Sequence, residues 1–365
     1  MVVSIVSRIK YSPLAYTLRM QQKGAQIQKV IESFVPDGKP LTNLQTEATN
    51  RILTKRGNDT FRHIVDYYAF DKTPILETHK ELLDKFYQIM KEKNLDSRLL
   101  KPIKNIKTEG DLNAYLITFI QNIGKFEMTP IYREALMHKK GGFPLEYEQL
   151  VYKKKCFNED CIATLFRMFA KPSKNPEVIE IEKILKEQYG IQAYLNNDYE
   201  RAVNILNSVK KLKENNIPIP KEYIVSDFHG GGIALCTDKH TVLLGSSKTD
   251  ELAKQFKQTR TVHPKEQALV DEWQKECGFD GWRSCGAKEH VETHEACHFL
   301  HFPFLAFLQQ KTGKAFADTV KKLSGYVALK KDNHYEIFAE LKAKSLYEPL
   351  NSKEQHLLDI LEGKR

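Results

Sequence analysis

No apolar run in the sequence approaches the roughly eighteen residues that a membrane-spanning helix requires, so a helical transmembrane anchor is not expected. Cysteine is scarce. Six thiols in 365 residues are too few for a disulfide framework, and that usage suits a reducing compartment. Cys156 and Cys161 have no second Cys or His pair of zinc-knuckle spacing near them, which leaves them as two thiols rather than a structural zinc site. No Walker A loop, no Rossmann glycine fingerprint and no G-x-S-x-G elbow occurs, which sets aside the commonest nucleotide-dependent and serine-nucleophile chemistries. No period of twenty to fifty residues repeats, so a solenoid is not expected. The opening MVVSIVSRIK has only a short apolar patch before Arg8, which does not make a signal peptide. The expected location is the cytoplasm, or another cell reached through a specialised secretion system.

What is present is an ordinary globular composition, with 41% hydrophobic and 28% charged residues and enough chain for two cores. The net charge of +9 is unevenly placed: residues 1–172 hold 28 Lys and Arg against 19 Asp and Glu, while residues 173–365 balance at 28 each. A diffuse excess of this kind reads as a solvated surface, with an acidic partner for the N-terminal half as the specific alternative. Nucleic-acid binding is not expected.

Apolar residues at three- and four-residue spacing predict helices over 76–91, 111–123 and 160–170, so residues 1–172 read as an α-helical domain. The stretch Lys171-Pro172-Ser173-Lys174-Asn175-Pro176 breaks the periodicity and reads as a linker. Beyond it the pattern changes. A helix over 178–189, a short alternating run at 191–195, a helix capped by Asn197 or Asp198, and three strand-like runs at 223–228, 232–236 and 241–245 precede a largely helical remainder from about Ala287. This order predicts an α+β domain over 176–365, a small mixed sheet beside helices. His229-Gly230-Gly231-Gly232 reads as a flexible turn between strands.

The chemistry concentrates in His294-Glu295-Ala296-Cys297-His298. Residues i and i+4 share one face of a helix, so both imidazoles can reach one tetrahedral zinc ion at about 2.0–2.1 Å, with Glu295 beside them as general base toward metal-activated water. His290 and His301 flank the motif as surface or supporting residues, and Phe299, Phe302, Phe304 and Phe307 read as core behind it. A third protein ligand is needed. The metzincin pattern fails, because His301 and Phe304 stand where it requires Gly and His, and the glycine-rich strand of peptide deformylase is missing although Cys285 lies upstream. Tyr335-Glu336-Ile337-Phe338-Ala339-Glu340 offers two carboxylates one turn apart, with Asp318 in reserve. Asn333 and Glu336 also have the spacing of a capping box, a role in which Glu336 binds nothing.

Taken together, HEACH at 294–298, Ser324-Gly325-Tyr326 and EIFAE at 336–340 resemble the catalytic domain of anthrax lethal factor and related gluzincin toxins and phage-encoded proteins. The resemblance covers about residues 177–350, and it departs from the family at Cys297, where Gly is usual, and in a longer Tyr-to-Glu spacing. It implies a zincin fold with one zinc per chain, Glu336 as third ligand, Glu340 orienting a histidine ring, and Tyr326 stabilising an oxyanion. It further implies a metalloendopeptidase that acts as an effector or toxin on a protein of another cell. The run 241–245 matches the edge strand along which a protein substrate lies extended in zincins, with an ordinary sheet strand as the alternative. The alternative is a binding or phage structural protein that keeps the motif without turnover.

Overall fold

The computed structural model describes residues 72–137, 145–227, 232–248, 283–300, 319, 323–324, 326–327 and 333–364. The chain forms two compact units, one built from Met1–Phe169 with two short later pieces, the other from Ala170–Asp227, Gly231–Ser247 and Thr259–Arg365. No helix among the described residues is long and apolar enough to cross a membrane.

The first unit is helical where it is described: α1 (Glu77–Glu92), α2 (Ser97–Leu100), a 3-10 turn (Lys101–Asn105), α3 (Glu109–Met137) and α4 (Leu145–Phe169). Leu83, Phe86 and Met90 of α1 are buried, as are Leu112, Leu116 and Phe119 of α3 and Leu165 and Phe166 of α4. Phe86 meets Phe119 edge to face at 5.5 Å. The apolar periodicity of α3 fades after Ile123, yet the helix runs on through Pro130 along α4. Packing against a neighbour thus carries it past residues whose own propensity opposes a helix.

In the second unit Asn175 caps α5 (Pro176–Tyr189) through the Glu177 N–H, Pro176 fills the first turn, and Gly190 at φ 68° closes the end. Strand β1 (Gln192–Tyr194) follows, and Asp198 rather than Asn197 caps α6 (Tyr199–Glu214), accepting from the Arg201 N–H. Strands β2 (Glu222–Ser226), β3 (Gly232–Leu235) and β4 (Thr241–Gly245) complete a mixed sheet of order β1-β2-β4-β3. β2 is parallel to β1 and β4, whereas β3 runs antiparallel to β4.

The expected edge role of residues 241–245 is not what forms. β4 lies between β2 and β3 and is buried along its whole length, while β3 has one described neighbour and is mostly half-buried. The run Val242-Leu243-Leu244 is apolar throughout rather than alternating, which suits a strand covered on both faces. One face of the sheet packs on α5 and α6 through Leu185, Ile205, Val209, Tyr223, Val225 and Leu244.

Three more helices follow: α7 (His290–Cys297), which passes into a 3-10 turn at His298–Leu300, α8 (His334–Tyr347) and α9 (Ser352–Leu361). Ile337, Phe338 and Leu341 of α8 pack on Leu357, Leu358 and Leu361 of α9. A capping box between Asn351 and Glu354 starts α9. A small mixed sheet among helices is compatible with the α+β architecture expected for this part of the chain.

Candidate metal centre

Helix α7 carries few apolar side chains, so polar contacts position it. The Arg201 guanidinium on α6 pairs with the Glu292 carboxylate at 2.5 Å with both side chains buried. Ser208 on α6 shares a hydrogen bond with Thr293 at 2.8 Å, and Thr293 shares another with the Tyr347 hydroxyl of α8 at 2.7 Å. Asn207 donates to Glu289 at 3.1 Å. On the apolar side, Ala296 and Cys297 are fully buried with Leu212, Ile217 and Ala339. Cys297 is therefore core, and its thiol is pushed up to about 12 by burial. The histidine face of α7 is thereby turned toward α8.

There the expected residues meet. His294 Nε2 is 3.3 Å, and His298 Nε2 3.4 Å, from Glu336 Oε2. The other nitrogen of His294, Nδ1, is 2.7 Å from Glu340 Oε2. The Tyr326 hydroxyl donates to Glu336 Oε2 at 2.9 Å. Glu336 is not the capping residue that its spacing from Asn333 allows: Asn333 caps α8 through the Tyr335 N–H at 3.1 Å, and the Glu336 carboxylate turns toward the rings.

Among the described residues, two groups of His and Glu ligand atoms lie close enough to hold an ion: His294, His298 and Glu336, and His290, His294 and Glu340. Their spacings separate them. A tetrahedral ion with bonds of about 2.0–2.1 Å sets its ligand atoms roughly 3.3 Å apart. The first group has edges of 3.3 and 3.4 Å. In the second group Glu340 Oε2 is 2.7 Å from His294 Nδ1 and 3.0 Å from His290 Nε2, which are hydrogen-bond lengths. The first group fits an ion, and the second reads as a hydrogen-bonded support behind it. Two imidazoles and one carboxylate are a donor set that suits zinc and leaves a fourth position open. The His298 and Glu336 side chains are 15% and 18% exposed, against 6% and 2% for His294 and Glu340, so the first group is reached from the His298 side.

Charge follows the same geometry. Burial alone would push the Glu336 carboxyl up, but hydrogen bonds from His294 and His298 hold it well below the usual carboxylate range. Burial likewise opposes ionisation of Glu340, and the His290 and His294 rings reverse it. Burial disfavours charge on His294, yet its bonds to Glu336 and Glu340 raise it well above the usual imidazole value. Glu295 is different: burial raises its carboxyl, against an opposing pull from His294 and His298. Burial also lifts the Tyr326 phenol well above its ordinary range, so it stays a neutral donor.

Several neighbours were not singled out by spacing alone. A Cβ built on Gly232 would lie 2.6–2.8 Å from Cγ, Cδ and Oε1 of Glu295, so β3 approaches the candidate base at a point where a side chain would force one or the other to shift. The glycine run read as a flexible turn carried that signal. His290 is buried, with Cys285 on one ring nitrogen and Glu340 on the other. The sequence signal was its place four residues before His294, on the same helix face. Phe299 is half-buried and stacks on His240 at 4.9 Å. Asp318, His301, Phe302, Phe304, Phe307 and the residues 229–231 lie outside the described residues.

The chain matches no protein-family model, no curated protein and no solved structure.

Proposed function

We propose that this protein is a zinc-dependent endopeptidase of the gluzincin type. The observation that carries the reading is the convergence of His294 Nε2 and His298 Nε2 on Glu336 Oε2 at 3.3 and 3.4 Å, with a buried, raised Glu295 beside them. In this reading His294, His298 and Glu336 hold one divalent ion per chain. The ion supplies a Lewis acid that polarises a peptide carbonyl and acidifies water. Glu295 takes the proton of the attacking water and returns it to the leaving amine. The Tyr326 hydroxyl, which donates to Glu336 Oε2 at 2.9 Å, would turn to the substrate oxygen and stabilise its developing negative charge.

The substrate is a protein segment laid extended along β3, whose side away from β4 has no described strand partner. On the resemblance to toxin proteases, its target is a protein of another cell.

Zinc content and N-terminal profiling of cells exposed to the protein test the proposal together. The parent is expected to hold one zinc, His294→Ala to lose it, and Glu295→Gln to keep it while generating none of the new protein N-termini that the parent produces. New N-termini made equally by the parent and by Glu295→Gln would overturn the assignment of the base. A parent that binds zinc and yields no new N-termini would point instead to a binding protein without turnover.

A further inference from the structure

Behind the candidate ion site runs a buried chain of polar groups. Cys285 Sγ is 3.1 Å from His290 Nδ1, and His290 Nε2 is 3.0 Å from Glu340 Oε2. The same oxygen is 2.7 Å from His294 Nδ1. The other carboxylate oxygen, Oε1, accepts from the Ser284 N–H at 2.8 Å, and the Ser284 hydroxyl donates to the Glu340 carbonyl at 3.1 Å. Cys285, His290, His294 and Glu340 are all buried.

An ionised carboxylate only accepts, so both ring nitrogens that face Glu340 must carry hydrogen. With an ion bound, a neutral ring that keeps its proton on Nδ1 would offer the lone pair of Nε2, the nitrogen that faces Glu336. The Ser284 N–H anchors Oε1, and the position of Oε2 is left to the two rings. His290 comes from the same helix, one turn earlier, so it ties Glu340 of α8 back to α7 and fixes the plane in which His294 is gripped.

We propose that His290, steadied by Cys285, is a positioning residue that locks the Glu340 carboxylate and through it presents the Nε2 lone pair of His294 to the ion. The proposal rests on the metal-binding part of the reading above and not on turnover. It differs from a second ion site at His290, His294 and Glu340, because Glu340 Oε2 lies 3.0 and 2.7 Å from the two ring nitrogens, which are hydrogen-bond lengths.

Supporting groups of this kind change metal affinity by about 10- to 100-fold. The experiment is zinc titration of the full chain against a chromophoric chelator, with the absorption bands of the cobalt-loaded protein and the thermal midpoint of the metal-free protein recorded alongside. His290→Phe keeps the ring volume and loses both nitrogens. It is expected to bind one ion about 10- to 100-fold more weakly than the parent and to shift the cobalt bands. His290→Gln keeps an N–H within reach of Glu340 and should recover most of that affinity. Parent-like binding by His290→Phe, or a Gln variant as weak as Phe at equal thermal midpoints, would overturn the positioning role. Should His290→Phe fail to fold, Cys285→Ala carries the test: weaker zinc binding supports the chain, and parent-like affinity sinks it. A parent that binds no zinc removes the metal reading itself, a different result from a zinc-binding parent with an indifferent His290.

Discussion

Nδ1 of His294 lies 2.7 Å from Glu340 Oε2, while Nε2 of the same ring faces Glu336 at 3.3 Å. One imidazole is thus held between two carboxylates one turn apart on α8, one at hydrogen-bond length and one at the spacing of a shared ligand set. That asymmetry predicts unequal substitutions. Glu336→Gln is expected to lose stoichiometric zinc on gel filtration, whereas Glu340→Gln should retain it with affinity lowered about 10- to 100-fold. The reverse order, read by metal analysis of the eluted protein, would move the ion to the His290, His294 and Glu340 group.

Gly232 tests the approach of β3 to the candidate base. A methyl group there meets Glu295 at 2.6–2.8 Å in a buried site, so either the strand or the carboxylate must move. Gly232→Ala is expected to cost about 1–3 kcal/mol of stability by urea denaturation. It should also lower peptide cleavage by roughly 100-fold, the effect of misplacing a reacting group by about 1 Å. Zinc content is expected to stay at the parent level, because the three atoms nearest that methyl all belong to Glu295. Loss of zinc in this variant would show that the strand supports the ligands and not the base.

The pair of Arg201 and Glu292 fixes α7 to α6 with both side chains buried. Removing one partner strands a buried charge, so Arg201→Met is expected to destabilise the second unit by about 3–5 kcal/mol. The double variant Arg201→Met, Glu292→Leu should recover much of the loss, since it strands no charge. Equal destabilisation by the single and double variants in chemical denaturation would argue that the pair does more than balance its own charges.

Alkaline pH should unfold the first unit. Burial raises the Cys161 thiol from its ordinary value of 9.0 to about 12, and it raises the Tyr115 phenol well above 10.0. Both groups stay protonated in the folded chain at pH values where the unfolded chain loses the proton. Stability is therefore full below about pH 9 and falls as pH rises, by at most about 1.4 kcal/mol per pH unit for each group. The Tyr115→Phe variant should show a shallower decline above pH 10 in urea unfolding. A slope equal to that of the parent would mean that Tyr115 ionises as readily folded as unfolded.

The short-range features were legible because they follow from local chemistry. The i and i+4 spacing puts His294 and His298 on one helix face, Asn175 and Pro176 open α5, and Gly190 ends it. Strands β2 and β4 announce themselves as apolar runs. The choice between Glu336 as a cap and Glu336 facing the rings was open in the sequence, since both follow from the same spacing. It was decided by the way α8 packs, which gives the cap to the Tyr335 N–H and turns the carboxylate toward α7.

Sequence alone determined which side chains were available to grip an ion and that two of them share a helix face, because helical periodicity is a property of a few neighbouring residues. Only the tertiary structure decided the rest. That β4 lies inside the sheet and β3 beside Glu295, that Glu340 reaches the back of His294, and that His290 and Cys285 stand behind it all depend on contacts between segments far apart in the chain. Strand order and side-chain pairing across 40 or more residues, as for His294 with Glu340, are set by which surfaces bury together, and no local pattern encodes that choice.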